Sequence, residues 1–166
     1  PHQGGRTWRN LLKSDGSVDL VHFTILRPPE KQDGTPVREL SLIAFPIREL
    51  FDIKVNEFDL IIFDRYRRRG ILPQLYLENI ANYVRRGGGL LEAGGVVNNS
   101  ALSLNRTPLG QVLPGEPTGI VHELGYKPRV TPMGERHPVT AELPGGEGSE
   151  PRWGRWFRQA SMQARG

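Results

Sequence analysis

Phe58-Asp59-Leu60-Ile61-Ile62-Phe63-Asp64 is a near-continuous apolar run closed by an acid, and its reading decides the fold. Such a run predicts a parallel strand covered on both faces, with Ile62 at its middle. Downstream, Leu72, Tyr76, Ile80 and Val84 repeat every four residues, and Leu75, Leu77 and Ala81 widen the stripe. That spacing predicts an amphipathic helix over 72–86, with Pro73 in its first turn and Gly87 as its C-terminal cap. Gly87-Gly88-Gly89-Leu90-Leu91-Glu92-Ala93-Gly94-Gly95 then predicts a turn, a second buried strand over 90–93 and a glycine elbow. Strand, helix and strand make a β-α-β unit, the building block of an α/β fold with a mainly parallel sheet.

Toward the N-terminus, Trp8, Leu11 and Leu12 predict a short amphipathic helix over 6–13, ended by Asp15-Gly16. Residues 18–24 are β-branched and apolar and predict a first strand. Residues 27–36 hold three prolines and an Asp33-Gly34 turn, so they predict a loop. Residues 42–45 read as a short strand or loop, and Pro46 as the first turn of a helix running through Leu50 and Phe51. Beyond the elbow, a short helix is expected over 98–104, punctuated loop over 107–117, and short strands over 119–124 and 129–131. Residues 145–151 read as a flexible glycine- and proline-rich segment. The expected organisation is one α/β domain over 1–144 and a basic, aromatic tail over 145–166 that also suits the edge of that domain.

A chain of 166 residues is long enough for a sizeable core. Its 37% hydrophobic and 24% charged residues are ordinary for a globular protein. It has no apolar run of the ~20 residues needed to span a bilayer as a helix. The absence of cysteine excludes disulfides, thiolate metal sites and thiol nucleophiles. The net charge of +4 is local: Arg152, Arg155, Arg158 and Arg165 lie in the last fifteen residues with no acid, and the other 18 basic residues balance 18 acids. A neutral body with a basic tail is a weak footprint for nucleic acid, which calls for a charged face.

Three constellations stand out. In open α/β sheets, ligands bind beyond the carboxyl ends of the strands. That rule singles out Asp64, Arg65, Glu92, Gly94 and Gly95 as candidate ligand-binding residues, weighed against ordinary strand-to-loop turns. Glu92, at a buried strand end, has an environment that raises a carboxyl pKa. Arg65-Tyr66-Arg67-Arg68-Arg69 borders the same edge and suits an acidic ligand or an acidic partner surface, weighed against a solvated loop. Trp153, Trp156 and Phe157 form the third group, readable as edge packing or as interface anchors. The histidines His2, His22, His122 and His137 are scattered without metal-ligand spacing, so neither metal nor cofactor is expected.

The segments FDLIIFD (58–64), LYLENIANYVRRGGGLLEAGG (75–95) and RHPVTAEL (136–143), in that order, resemble the class I glutamine amidotransferase-like superfamily. RTWRNLLKSD (6–15), VDLVHFTILRPPEKQDGTPV (18–37) and PRWGRWFRQ (151–159) are similar to its non-catalytic branch, found inside large bacterial membrane proteins. The resemblance implies a three-layer flavodoxin-like sandwich. Active members carry a Gly-x-Cys-x-Gly elbow. Aligned on Gly95, the nucleophile position is Ala93 and the leading glycine is Leu91. The family's His-x-Glu pair has no match, since His137 is followed by Pro138 and Val139. A methyl group can neither attack an amide nor hold a thioester.

The expectation is therefore a non-enzymatic, degenerate amidotransferase-like domain. It would act as a binding or assembly module of a larger, membrane-anchored bacterial protein, on its cytoplasmic or periplasmic side. Its partners would be other domains of the same polypeptide or another protein, with membrane contact only through segments outside this chain and no nucleic acid. Two alternatives are a hydrolase or transferase using Asp64, Glu92 or His137, and a nucleic-acid binder using the 65–69 run.

Overall fold

α2 (Gln74–Arg85) is the element on which the first of two compact units is built, and its ends are set by local chemistry. Pro73 stands at its N-cap, one position outside the helix. At the other end Gly87 adopts φ +101°. Gly88 N donates to Tyr83 O at 3.0 Å and Gly87 N to Val84 O at 2.9 Å. These paired bonds form a Schellman cap, which needs a residue free to enter the left-handed region at Gly87. The structure, a computed structural model, describes residues 3–24, 46–68, 70–148 and 150–165. The expectations for 27–36 and 42–45 lie outside those residues, as does Arg69. Two units divide the chain: Pro1–Glu116 with Ala164–Gly166, and Pro117–Gln163.

In the first unit, α2 buries Leu77, Ile80, Ala81 and Tyr83, while Leu75 is exposed. β1 (Leu60–Asp64) and β2 (Gly89–Ala93) pair in parallel, with Ile61 opposite Leu90, Phe63 opposite Glu92 and Asp64 opposite Ala93. A π-helical turn, Glu49–Ile53, adds Leu50 and Phe51 to the core. The 3-10 turns Leu104–Arg106 and Pro108–Gln111 add Leu104 and Leu109. Polar side chains tie the layers together: Asn79 Nδ2 donates to Phe51 O at 2.9 Å, and the Tyr83 hydroxyl donates to Gly89 O at 3.2 Å. α1 (Gln3–Lys13) forms as its spacing predicts, although its Leu11 is exposed.

The three-layer flavodoxin-like sandwich with a mainly parallel sheet does not form. The described residues hold two separate two-stranded sheets, β1 with β2 and β3 (Gly115–His122) with β4 (Gln159–Ala164). Two observations carry the correction. Residues 18–24, expected to be the first strand, adopt no strand, and Val18, Val21 and Phe23 are exposed. β1 buries Ile61 and Phe63 but leaves Leu60 exposed and Ile62 half-buried, so only one of its faces meets the core. A strand between two helical layers would be buried on both. The expected strand over 129–131 is also absent, and the expected helix over 98–104 is replaced by 3-10 turns at Gly95–Asn99 and Leu104–Arg106.

The second unit is held mainly by polar and backbone contacts. Tyr126 and Trp156 exchange backbone hydrogen bonds at 2.8 and 2.7 Å. Their rings meet edge to face, with centroids 6.3 Å apart. Arg158 pairs with Glu123 at 2.7 Å, and Arg155 donates to Gly125 O at 2.7 Å. Arg152 N donates to Gly145 O at 2.8 Å, and Gly145 has φ +86°.

Candidate functional site

The elbow after β2 is a tight corner at the surface, with Arg65, Gly95 and Val96 exposed. Register places Asp64 beside Ala93, and Arg65 N donates to Ala93 O at 2.8 Å. Arg65 turns the chain with φ +50°, a left-handed conformation that costs a non-glycine residue about 1–2 kcal/mol. Gly95 has φ +63°, and a Cβ there would stand 3.1 Å from Arg65 Cγ. A Cβ on Gly94 would stand 2.9 Å from Asn98 Cγ. The two glycines thus admit the close approach of the Arg65 stem and the Asn98 amide.

Beside the elbow lies a polar cluster that sequence reasoning missed. Asn98 Oδ1 accepts from Ser103 Oγ at 3.2 Å and from Asn105 Nδ2 at 3.1 Å. Ser103 is 2% exposed, and its Oγ caps the turn that follows by accepting from Asn105 N. Asn98 Oδ1, Ser103 Oγ and Asn105 Nδ2 are satisfied within the cluster, whereas the buried Asn105 Oδ1 finds no partner among the described residues. The Ser-x-Asn spacing at 103–105 is the local signature of such a turn.

Glu92 faces inward. Paired parallel residues share a face, so Glu92 lies on the side of Phe63 and Ile61, toward the core. Burial holds its carboxyl above the usual range. No hydrogen bond or ion pair to the Glu92 carboxylate forms among the described residues. In the folded state it keeps a proton at pH values where the unfolded chain has lost it, so stability falls as pH rises through that window. Glu92→Gln is expected to raise Tm at neutral pH. The gain should shrink to nothing below the ordinary carboxylate range, where both states are protonated. A pH-independent difference between the two melting curves would contradict this burial.

Other chemistry is sparse. His122 Nε2 lies 3.0 Å from Ser161 Oγ, a nucleophile-and-base pair by residue type. Both sit on strands β3 and β4, and no acid orients the ring among the described residues. No group of three or more His, Asp or Glu side chains there is arranged to hold a metal. No described helix is long and apolar enough to cross a membrane.

The 65–68 run divides its roles. Tyr66 packs on Phe63 with ring centroids 5.3 Å apart, and its hydroxyl accepts from Leu72 N at 3.3 Å. Arg68 turns elsewhere, into a cleft of about 730 Å³ beside α2, where Arg85 and Arg106 join it. None of Asp64, Arg65, Glu92, Gly94 and Gly95 lines that cleft. Its sequence signal was Gln74, Glu78, Asn82 and Arg85, a polar stripe of helical spacing on α2.

Of the aromatic group, Trp153 is an anchor: its Nε1 donates to Pro128 O at 2.9 Å, and its ring lies over Gly146. Trp156 and Phe157 are exposed, at 57% and 70%. Ile120, Leu124 and Met162 of the same unit are exposed as well.

No protein family, no curated protein and no solved structure matches this chain.

Proposed function

We propose that this chain is a non-enzymatic binding or assembly module, degenerate relative to the amidotransferase-like enzymes that its sequence resembles. The observation that carries the reading is the exposure of Trp156 and Phe157 together with Ile120, Leu124 and Met162 in a unit of 47 residues, Pro117–Gln163. Within that unit the buried positions among the described residues are Gly145 and Pro151, and no large apolar side chain is enclosed. A two-stranded sheet without an apolar core is marginal alone, and a covering partner supplies the missing burial. Trp and aromatic neighbours are also the usual anchors of interfaces. Ala93 at the elbow supports the non-enzymatic half of the reading, since cysteine stands there in the enzymes that the sequence resembles. The resemblance alone suggests the partner: another domain of a larger, membrane-anchored bacterial polypeptide, or a protein bound to it.

Photo-cross-linking in cells tests the reading. A benzophenone amino acid in place of Phe157 is expected to give one discrete adduct, and the same group in place of the exposed Glu135 none. Diffuse or absent products at both positions would overturn the proposal. Phe157→Ser should leave Tm within about 1–2 °C, because exposed positions contribute within ±0.5 kcal/mol.

A further inference from the structure

The cleft beside α2 holds a charge pattern that neither the elbow nor the aromatic face uses. Arg68 comes from the loop after β1, Arg85 from the last turn of α2, and Arg106 from the turn Leu104–Arg106. The buried Leu72 and Leu77, with Pro73 and Pro108, form the apolar part of its lining. Three guanidinium groups face one carboxylate, Glu78, whose Oε1 already accepts from Gln74 Nε2 at 3.1 Å. No acid pairs with Arg68, Arg85 or Arg106 among the described residues.

Arg85 is held in place by neutral groups. Its Nη1 donates to Asn82 Oδ1 at 2.8 Å and its Nη2 to Gln111 Oε1 at 2.7 Å. Both amide oxygens are thereby spent on the guanidinium, and the amide NH2 groups of Asn82 and Gln111 remain as donors. Arg68 Nη2 donates to Ala101 O at 3.4 Å, a long bond that leaves most of its fork available. A cleft rich in donors and carrying a surplus of two positive charges matches an oxyanion. Arginine's planar fork suits phosphate. A phosphate monoester carries a charge near −2 at pH 7, which would offset the surplus, whereas a single carboxylate would leave half of it. The volume of about 730 Å³ lies in the range of small-molecule sites.

We propose that this cleft binds a small phosphorylated molecule through Arg68, Arg85 and Arg106. Calorimetric titration of the whole chain with pyrophosphate, at fixed ionic strength in a phosphate-free buffer, tests it. Saturable binding is expected. Arg106→Gln, a change at an exposed position, should weaken it by about tenfold or more, and Arg129→Gln in the other unit should leave it unchanged. Matched Tm values would show that both variants fold. Absence of saturable binding, or equal binding by Arg106→Gln, overturns the proposal. So does a steeply salt-dependent, Arg106-dependent affinity for a short single-stranded DNA without any for pyrophosphate, which would make the cleft part of a nucleic-acid track.

Discussion

Ile80→Asp is expected to abolish cooperative folding of the first unit. Ile80 is fully buried at the middle of α2, with Leu77 and Ala81 beside it in the same core as Ile61 and Phe63 of β1. Replacing it removes about 1.5–3 kcal/mol of apolar burial. It also places a carboxylate with no partner in a dry site, where the group must either stay charged at great cost or take up a proton. The sum exceeds about 4–5 kcal/mol, the range in which a single change is exceptional, against a total stability of about 5–15 kcal/mol for a domain. Circular dichroism during urea unfolding reads the result. The expected trace has no native baseline or a midpoint near zero denaturant. Ile80→Val, costing about 0.5–1.5 kcal/mol, should keep a cooperative transition at a lower midpoint. A soluble Ile80→Asp variant that melts as the parent does would show that α2 does not form the centre of this core.

Gly110→Ala is expected to cost nearly as much, for a steric reason. A Cβ at Gly110 would lie 2.1 Å from Asn105 O and 2.8 Å from Asn105 C. Those are backbone atoms, so no rotamer change relieves the overlap. The turn is also tied at both ends: Gly110 N donates to Thr107 O at 2.9 Å, and Gly110 O accepts from Arg165. Relief requires Pro108–Gln111 to part from Leu104–Arg106, which opens the packing of Leu104 and Leu109. Overpacking costs about 1–3 kcal/mol, and an overlap with backbone atoms that cannot rotate away puts this change at the upper end, about 3 kcal/mol. For a unit of this size that lowers Tm by roughly 12 °C or more. Gly16, where an added Cβ meets nothing within 4 Å, is the control, and Gly16→Ala should leave Tm almost unchanged. Equal behaviour of the two variants would contradict the close approach of the two turns.

Much of the first unit was legible before its structure. The run at 58–64, the stripe from Leu72 to Val84 and the glycines at 87–89 each encode a local preference, and β1, α2 and β2 form where these point, within two residues at most ends. The error was one of layers. A run of apolar residues marks a strand but does not say how many of its faces are covered, and here one is. The second sheet was only half legible. Residues 119–124 were expected as a strand, but nothing in 159–164 announces its pairing with β3 some forty residues earlier.

The candidate site divides in the same way. Ala93 in the elbow and the absence of cysteine are facts of sequence, and they bear on chemistry whatever the fold. That Gly94 and Gly95 admit Asn98 and Arg65 could be learned only from the folded corner. Glu92 reads in the sequence as a strand-end acid, and register places it on the core face, where burial raises its pKa. Arg68, Arg85 and Arg106 lie far apart in the chain and carry no common spacing, so only the folded structure brings them to one cleft.

By itself, then, the amino-acid sequence determined β1, α2 and β2, the glycine cap of α2 and the lack of a thiol nucleophile, because backbone preference, side-chain periodicity and residue chemistry act over a few neighbouring positions. The tertiary structure alone decided which strands pair, which faces are covered, which glycines are filled and which charges meet. Those outcomes depend on contacts between residues distant in the chain, and no local pattern encodes them.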